Sequence, residues 1–321
     1  MKKVTVGIDI GGTFTKMGIV DREGNCLMND SIETQTNDNK VETFLNNLHT
    51  KIEEMRAQFT GQIELVGIGI GAPNGNYFKG TIENAANLKW KGIVPFVDLF
   101  KNYYPGIPIM LTNDAKAAAL GEMIYGAAKE MKNFIEITLG TGLGSGFVVN
   151  GDLVYGADGF AGELGHTLVK SKGRQCGCGK KGCLETYVSA TGIKRTVYKM
   201  LADSLEPSEL RGISFEDLDG VMITEAAKHG DKLALKVFDY TGKVLGTKLA
   251  DAVAITRPEA IFLFGGLSLA GDFIFNPTKK YMEEALLPIY RNKIKILPSG
   301  LKNNNAAILG ASALAWKELE K

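Results

Sequence analysis

The chain has 321 residues, of which 45% are hydrophobic and 23% are charged, and its formal net charge is +1. This composition is ordinary for a globular protein. The balanced charge argues against a nucleic-acid or membrane-surface partner, and no apolar run approaches the ~18 residues of a membrane span. The first residues lack a signal-peptide core, so we expect a cytoplasmic protein of about two domains.

Predicted strands and helices alternate along the chain. The apolar pattern predicts strands at 3–10, at 14–20 and after the turn at 21–24, a helix at 41–55 with Asn37 or Asp38 as its cap, strands at 63–70 and 107–111, and a helix at 115–125. It then predicts strands at 134–139 and 147–149, a mostly helical stretch at 191–256 with its longest helix at 236–255, strands at 260–264 and 294–297, and a helix at 305–319. This alternation indicates an α/β architecture.

One strand–turn–strand pattern occurs twice. Gly12-Thr13 followed by Gly18 recurs at one common offset as Gly140-Thr141 followed by Gly146. The repeat predicts two similar α/β domains facing each other across a cleft, although abundant glycines make chance an alternative. We place the boundary at a hinge near 112–114, with a smaller domain of residues 1–112 plus 306–321 and a larger domain of residues 113–305.

The first glycine turn is typical of phosphate binding. Asp9 ends a strand, and Gly11, Gly12, Thr13 and Lys16 follow it. Glycines let backbone N–H groups approach phosphate oxygens closely, and the aspartate is suited to hold Mg²⁺. A tight hairpin with a surface aspartate is the alternative interpretation.

The second glycine turn covers residues 138–146. Its alternate glycines, among them Gly140 and Gly142 on either side of Thr141, form a backbone nest that suits anions. The turn opens a strand and lacks the full GxGxxG spacing, so it is not a dinucleotide fingerprint. A plain flexible turn is the alternative.

Two further strands end in candidate functional residues. Asn113 and Asp114 follow a strand and open a helix, where an aspartate is able to accept a proton from a substrate hydroxyl during attack on phosphate. A helix N-cap is the alternative role for Asp114. Gly265 and Gly266 end the strand at 260–264, and such a bend lets a flat ring lie on the backbone; a buried strand ending in a turn explains these glycines equally well.

A histidine and three cysteines have the spacing of a metal site. His166, Cys176, Cys178 and Cys183 supply one imidazole and three thiolates, which form a tetrahedral ligand set for structural Zn²⁺. Without an export signal, clustered cysteines indicate metal ligands before disulfides. Because four protein ligands leave no open position, we expect a structural and not a catalytic ion. A free thiol cluster or a redox pair is the alternative.

In this order, the motifs resemble the ROK family of sugar kinases over nearly the whole chain. The segment 176–185 matches the family pattern CxCGxxGCxE, and the ExGH element lies upstream, from Glu163 to His166. The resemblance implies the actin-like (ribonuclease H-like) ATPase fold, ATP, Mg²⁺ and structural Zn²⁺ as cofactors, and assembly as a homo-dimer or homo-tetramer. Many relatives have Asn-Asp-Ala-Asn where this chain has Asn113-Asp114-Ala115-Lys116. Lys116 either alters the charge near the cleft or points to solvent.

The resemblance also implies an activity in carbohydrate metabolism, namely ATP-dependent phosphorylation of a hexose at its 6-hydroxyl, with glucose as the first candidate. Asp114 would be the catalytic base, and His166 would bind zinc with one ring nitrogen and the sugar with the other. The residues expected around the sugar are Asn87, Asn113, Asp114, Glu163, His166 and Glu185. Those expected around Mg·ATP are Asp9, Gly11, Gly12, Thr13, Lys16, Gly140, Thr141, Gly142, Gly265 and Gly266.

Other functions within the family remain alternatives. The chain is alternatively a kinase for an N-acetylhexosamine, mannose or fructose, or a non-catalytic sugar sensor. Family repressors carry a DNA-binding module ahead of the first phosphate motif, and too few residues precede Asp9 for such a module. We therefore expect no nucleic-acid partner.

Overall fold

The computed structural model describes residues 1–301 and 305–321. The strands in this part of the chain are β1 (Lys2–Ile10), β2 (Phe14–Asp21), β3 (Cys26–Glu33), β4 (Ile63–Ala72), β5 (Gly75–Asn76), β6 (Thr81–Glu83), β7 (Ile93–Val94), β8 (Ile109–Asn113), β9 (Phe134–Leu139), β10 (Leu143–Val149), β11 (Asp152–Leu153), β12 (Ala260–Phe264) and β13 (Lys295–Pro298). The helices are α1 (Val41–Ala57), α2 (Phe96–Lys101), α3 (Asp114–Ile124), α4 (Ala190–Asp203), α5 (Gly220–Lys228), α6 (Lys232–Thr256), α7 (Asp272–Ala285) and α8 (Ala306–Leu319). None of the helices described has the length and apolarity to cross a membrane.

The chain divides into two compact units. The first unit comprises Met1–Lys132, Gly146–Gly162 and Ser299–Lys321, and the second comprises Asn133–Ser145 and Glu163–Pro298. Helix α3 thus lies in the first unit. The predicted domains, 1–112 plus 306–321 and 113–305, stay a prediction, and residues 302–304 of the latter lie outside the described residues.

A five-stranded sheet forms the centre of the first unit, in the order β3-β2-β1-β4-β8. Strand β1 is antiparallel to β2 and parallel to β4, which is in turn parallel to β8. The helical spacing of apolar residues in α1 predicts one buried face; the structure buries Phe44, Leu45, Leu48, Ile52 and Met55 and leaves the first predicted residue, Val41, half-buried. Helix α8 packs against β1 and β4, where a Cβ at Gly7 or Gly69 would lie 2.1 or 1.8 Å from a carbonyl oxygen of α8. These two glycines are therefore required for the close approach of helix and sheet.

A second five-stranded sheet has the order β11-β10-β9-β12-β13. When the strands of each sheet are numbered one to five along the chain, both sheets have the same spatial order: third, second, first, fourth, fifth. Strand β12 is parallel to both β9 and β13. The shared order confirms the prediction of two similar α/β halves that was made from the repeated Gly-Thr turns.

Several elements differ from their predictions. The N-cap of α1 is Lys40, which makes no side-chain cap bond, so the prediction of Asn37 or Asp38 as the cap is wrong. The Asp38 carboxylate instead accepts the Lys40 N–H at 3.1 Å and the Thr43 hydroxyl at 2.8 Å. Strand β10 begins at Leu143, inside the glycine run and before the predicted start at 147. Helices α2 and α7 and the small sheet β5-β6-β7 were not predicted.

Candidate active site

The first glycine turn joins β1 to β2 in the first unit. Asp9 and Lys16 are paired across this hairpin. The Gly11 N–H closes the turn by donating to the Phe14 carbonyl at 3.0 Å. One turn therefore carries all the residues predicted for the first phosphate motif: Asp9, Gly11, Gly12, Thr13 and Lys16.

The segment around Asn87 lies against this turn. A Cβ at Gly12 would lie 3.0 Å from the Asn87 carbonyl oxygen and 3.2 Å from the Asn87 Cβ. Because Gly12 has no side chain, the two segments approach this closely. Asn87 itself is exposed, which leaves its amide accessible to a ligand. Residues predicted for phosphate and for sugar thus meet within the first unit.

The Asp114 carboxylate lies close enough to Asp9 to affect the pKa of the Asp9 carboxyl. Loss of hydration and the nearby Asp114 carboxylate raise the pKa of Asp9 to about 6, although Lys16 acts in the opposite direction. Asp114 keeps solvent-accessible surface, but the protein around it displaces much of its hydration, which raises the pKa of its carboxyl. The Ala115 N–H and the Lys116 ammonium oppose this rise. Neighbouring carboxylates with raised pKa values are typical of sites that bind a cation or exchange a proton.

Asn113 caps α3. Its Oδ1 accepts the N–H groups of Ala115 at 3.0 Å and Lys116 at 3.4 Å. Asp114 is the first residue of the helix, and its Oδ1 accepts the Ala115 N–H at 2.7 Å. The alternative interpretation of Asp114 as the N-cap is therefore wrong, since Asn113 has that role.

The second glycine turn lies in the second unit and contacts Glu185. The Leu143 N–H donates to Glu185 Oε2 at 3.0 Å, and a Cβ at Gly142 would lie 2.4 Å from the same oxygen. The Gly140 carbonyl accepts the N–H of Ala190, the first residue of α4, at 2.8 Å. A residue predicted to bind sugar thus contacts a turn predicted to bind phosphate.

Two more predicted motifs lie against this turn. A Cβ at Gly165, in the short 3-10 turn Leu164–His166, would lie 2.3 Å from the Leu143 carbonyl oxygen. Glu163 precedes that turn and is exposed. Gly265 has a φ of 99° and lies against Leu139, where a Cβ would be 2.7 Å from the carbonyl oxygen. The second unit thereby brings the ExGH element and the Gly265-Gly266 bend to one turn.

The predicted metal ligands form a compact cluster. Ligand atoms of His166, Cys176, Cys178 and Cys183 all lie within 4.8 Å of one another. His166 Nδ1 is 3.7 Å from Cys176 Sγ, and the Sγ atoms of Cys178 and Cys183 are also 3.7 Å apart. A tetrahedral ion with Zn–S bonds of ~2.3 Å requires sulfur atoms about 3.8 Å apart. The residues present therefore fit a zinc ion, with Nδ1 as the histidine donor.

Among the buried polar residues of the first unit, the sequence analysis missed Asn76 and left Lys116 open between two interpretations. Asn76 is fully buried, and Lys116 is only 2% exposed, so the interpretation of Lys116 as pointing to solvent is wrong. Asn76 Nδ2 donates to the Asp158 carbonyl at 2.9 Å, and Lys116 Nζ donates to the Gly159 carbonyl at 3.2 Å. No motif marks Asn76, whereas the departure at Lys116 from the family pattern was a usable signal.

The chain is similar to known sugar kinases over almost its full length. The model of the ROK family matches residues 5–318. The chain is 35% identical over 319 residues to a glucokinase of Halalkalibacterium halodurans, covering 98% of this chain and 95% of that protein. It is 33% identical over 313 residues to a glucokinase of Thermotoga maritima, covering 96% of each. A solved ROK family glucokinase from Streptomyces griseus, in complex with glucose and AMPPNP, superposes with a TM-score of 0.78 at 31% identity and covers 98% of this chain and 99% of that one.

Proposed function

Because this chain belongs to the ROK family, we infer that it transfers the γ-phosphoryl group of ATP to the 6-hydroxyl of glucose. The observation that carries this function is the 35% and 33% identity with glucokinases over nearly the whole chain. ROK sugar kinases have the actin-like ATPase fold, so the fold class expected from the sequence is confirmed. The residue roles below are our assignments.

We assign the catalytic base to Asp114. Its carboxylate accepts the proton of the sugar 6-hydroxyl as that oxygen forms a bond to the γ-phosphorus. The bond from that phosphorus to the bridging oxygen breaks, and ADP leaves with the electron pair. The Ala115 N–H at 2.7 Å supports the ionised form that a base requires.

The two glycine turns hold the phosphates through backbone N–H groups, and Lys16 adds a positive charge beside the first turn. Asp9, next to Asp114, would hold Mg²⁺, which when bound offsets negative charge on the phosphates. The Gly265-Gly266 bend, which lies against Leu139 at the start of the second turn, would carry the adenosine.

We assign recognition of the sugar hydroxyls to five polar side chains: Asn87, Asn113, Glu163, His166 and Glu185. Zinc would be held by His166 Nδ1 and the three cysteines, which leaves Nε2 to donate to a hydroxyl. Holding one ring nitrogen on a metal fixes the tautomer and the ring orientation. The ion would have a structural role, because its four positions are filled by protein.

Three expectations from the sequence stay predictions: a cytoplasmic location, assembly as a homo-dimer or homo-tetramer, and the absence of a nucleic-acid partner. They do not affect the assignment of the reaction.

A sugar panel tests the proposed function. We expect glucose to give a higher kcat/KM than N-acetylglucosamine, N-acetylmannosamine, mannose or fructose in a coupled assay of ADP release at one ATP concentration. A site built from hydrogen-bonding groups penalises a sugar that leaves one of them unpaired. A preference for an N-acetylated sugar would identify a different kinase of the family. Sugar binding without any ADP release would identify a sensor.

A further inference from the structure

Two buried side chains donate to successive carbonyls of one loop. Asn76 Nδ2 lies 2.9 Å from the Asp158 carbonyl oxygen, and Lys116 Nζ lies 3.2 Å from the Gly159 carbonyl oxygen. The two anchors come from different parts of the first unit, since Asn76 ends β5 and Lys116 lies in the first turn of α3. Burying a lysine removes its hydration and is rare in folded proteins. Its position under this loop therefore requires an explanation beyond packing.

The loop covers residues 155–162, and we call it the clamped loop. It is closed at its base by the Ala161 N–H, which donates to the Tyr155 carbonyl at 3.0 Å. The Tyr155 ring stacks on Tyr77 at a centroid distance of 4.2 Å. Three glycines in the loop, at 156, 159 and 162, have positive φ angles. Since glycines leave many backbone conformations open, the anchors decide which one is populated.

Asn76 is a rigid and neutral anchor. Its Nδ2 also donates to Glu83 Oε1 at 3.1 Å, and its Oδ1 accepts the N–H groups of Phe78 and Lys79. A Cβ at Gly159 would lie 2.8 Å from Asn76 Oδ1. The clamped loop therefore lies directly on the Asn76 side chain.

Lys116 differs from Asn76 in its place in the chain. It lies two residues after Asp114 in the first turn of α3, so the helix that carries the proposed base also holds the clamped loop. Asn76 lies on β5 and holds the same loop from another element.

Resting on the proposed function, we propose that Lys116 is a positioning residue for the kinase reaction. It fixes the clamped loop, which ends one residue before Glu163, the residue to which we assign a role in sugar binding. Loss of this anchor then weakens glucose binding.

Variants of the two anchors test the proposal. Lys116→Met removes the lysine anchor at similar volume. Asn76→Ala removes the second anchor, together with the hydrogen bonds of Asn76 to Glu83, Phe78 and Lys79. We expect the KM for glucose to rise about tenfold in both variants, the scale of one lost charged or buried hydrogen bond. The KM for ATP should change less than about twofold. Lys116→Arg, which keeps charge and donor, should restore most of the glucose affinity.

Two results with Lys116→Met would overturn the proposal: an unchanged KM for glucose, or an equal rise in the KM for ATP. If Lys116→Met does not fold, Lys116→Gln, which has a shorter donor, should also raise the KM for glucose, and an unchanged KM in that variant would count against the proposal.

Amide hydrogen exchange over residues 155–162 gives a readout that does not need activity. It should become faster in both Lys116→Met and Asn76→Ala, and unchanged exchange would refute the clamp. A wild-type protein that is inactive on glucose would refute the proposed function, while the exchange result would still decide the clamp.

Discussion

Asp114 begins α3 without capping it, since Asn113 takes that role. Asp114→Asn keeps the size and polarity of the side chain but removes the proton acceptor. We expect kcat to fall by about 10²–10⁴-fold, the usual effect of losing a general base. Glucose affinity, measured by titration calorimetry, should stay close to that of the wild type. A variant that keeps half the wild-type rate would mean that Asp114 is not the base.

The negative charge of Asp9, which we assign to the phosphate site, lowers the free energy of unfolding of the protein. Because its pKa is raised to about 6, ionising it destabilises the folded chain, and this cost grows as the pH rises from about 4 to about 6. Asp9→Asn should therefore raise the free energy of unfolding by about 1–3 kcal/mol at about pH 8, and by less at about pH 5.

The same substitution should lower kcat/KM for ATP by about a hundredfold, because it removes a carboxylate from the phosphate site. Urea unfolding at both pH values, together with the ADP-release assay, checks the two effects. A variant that is less stable than the wild type at both pH values would contradict the prediction.

The sequence could predict site residues where the signal is local. The metal ligands at 166–183 and the residues of the first turn at 9–16 are close together in the chain, so their spacing indicates their grouping. Asn76 could not be found in this way, and neither could the burial of Lys116, because their partners at 158 and 159 are brought to them by the fold. The role of Asn113 as a cap also depends on where α3 begins.

At the scale of elements, one buried carboxylate joins α3 to the segment that precedes α8. Glu122 is fully buried. It accepts the Ala127 N–H at 2.6 Å, the Gly300 N–H at 2.9 Å and the Ser299 hydroxyl. Glu122→Ala leaves these donors unpaired and should lower the free energy of unfolding by about 2–5 kcal/mol in urea denaturation.

The exposed Glu130, eight residues further along the chain, provides the control for this prediction. Glu130→Ala should change the free energy of unfolding by less than about 0.5 kcal/mol. Equal effects of the two substitutions would mean that the Glu122 hydrogen bonds do not stabilise the fold.

Helices whose apolar residues recur with a clear helical period were predictable from the sequence, and helices whose pattern is interrupted were not. The face of α1 that begins at Phe44 has helical spacing and is buried as expected. Helix α7 contains Pro277, which hides its pattern because proline usually ends helices. In the fold, Gly242 of α6 makes room for that ring, since a Cβ there would lie 2.7 Å from the proline side chain. A tertiary contact thus permits what local propensity opposes.

At the scale of the whole molecule, we expect about one zinc ion per chain, the stoichiometry of a closed four-ligand site. Cys178→Ala should lose the metal and part of its glucose affinity, and its Tm should fall by about 10 °C, since metal binding is coupled to folding. Elemental analysis, thermal unfolding and calorimetry measure the three effects. Cys26→Ala, at a cysteine remote in the chain from the cluster, should retain the zinc. Active protein without zinc would contradict the prediction.

The sequence predicted the doubling of the fold but not its boundaries. The repeated Gly-Thr turns marked two strand–turn–strand units, and both sheets have one strand order. The compact units are built from five chain segments, and such a division depends on contacts between distant residues. No composition change or linker marks it in the sequence.

Helix α8 packs against α3, β1 and β4, yet the chain reaches it only after the whole of the second unit. On the ribosome, the first sheet is therefore synthesised long before the helix that covers part of it. At typical translation rates this interval lasts on the order of ten seconds or more. During that time the nascent chain exposes apolar strand surface, with Gly7 and Gly69 open where the helix backbone will later lie. In a protein whose domains follow one another in the chain, a sheet and the helix that covers it are synthesised together, and this exposure is brief.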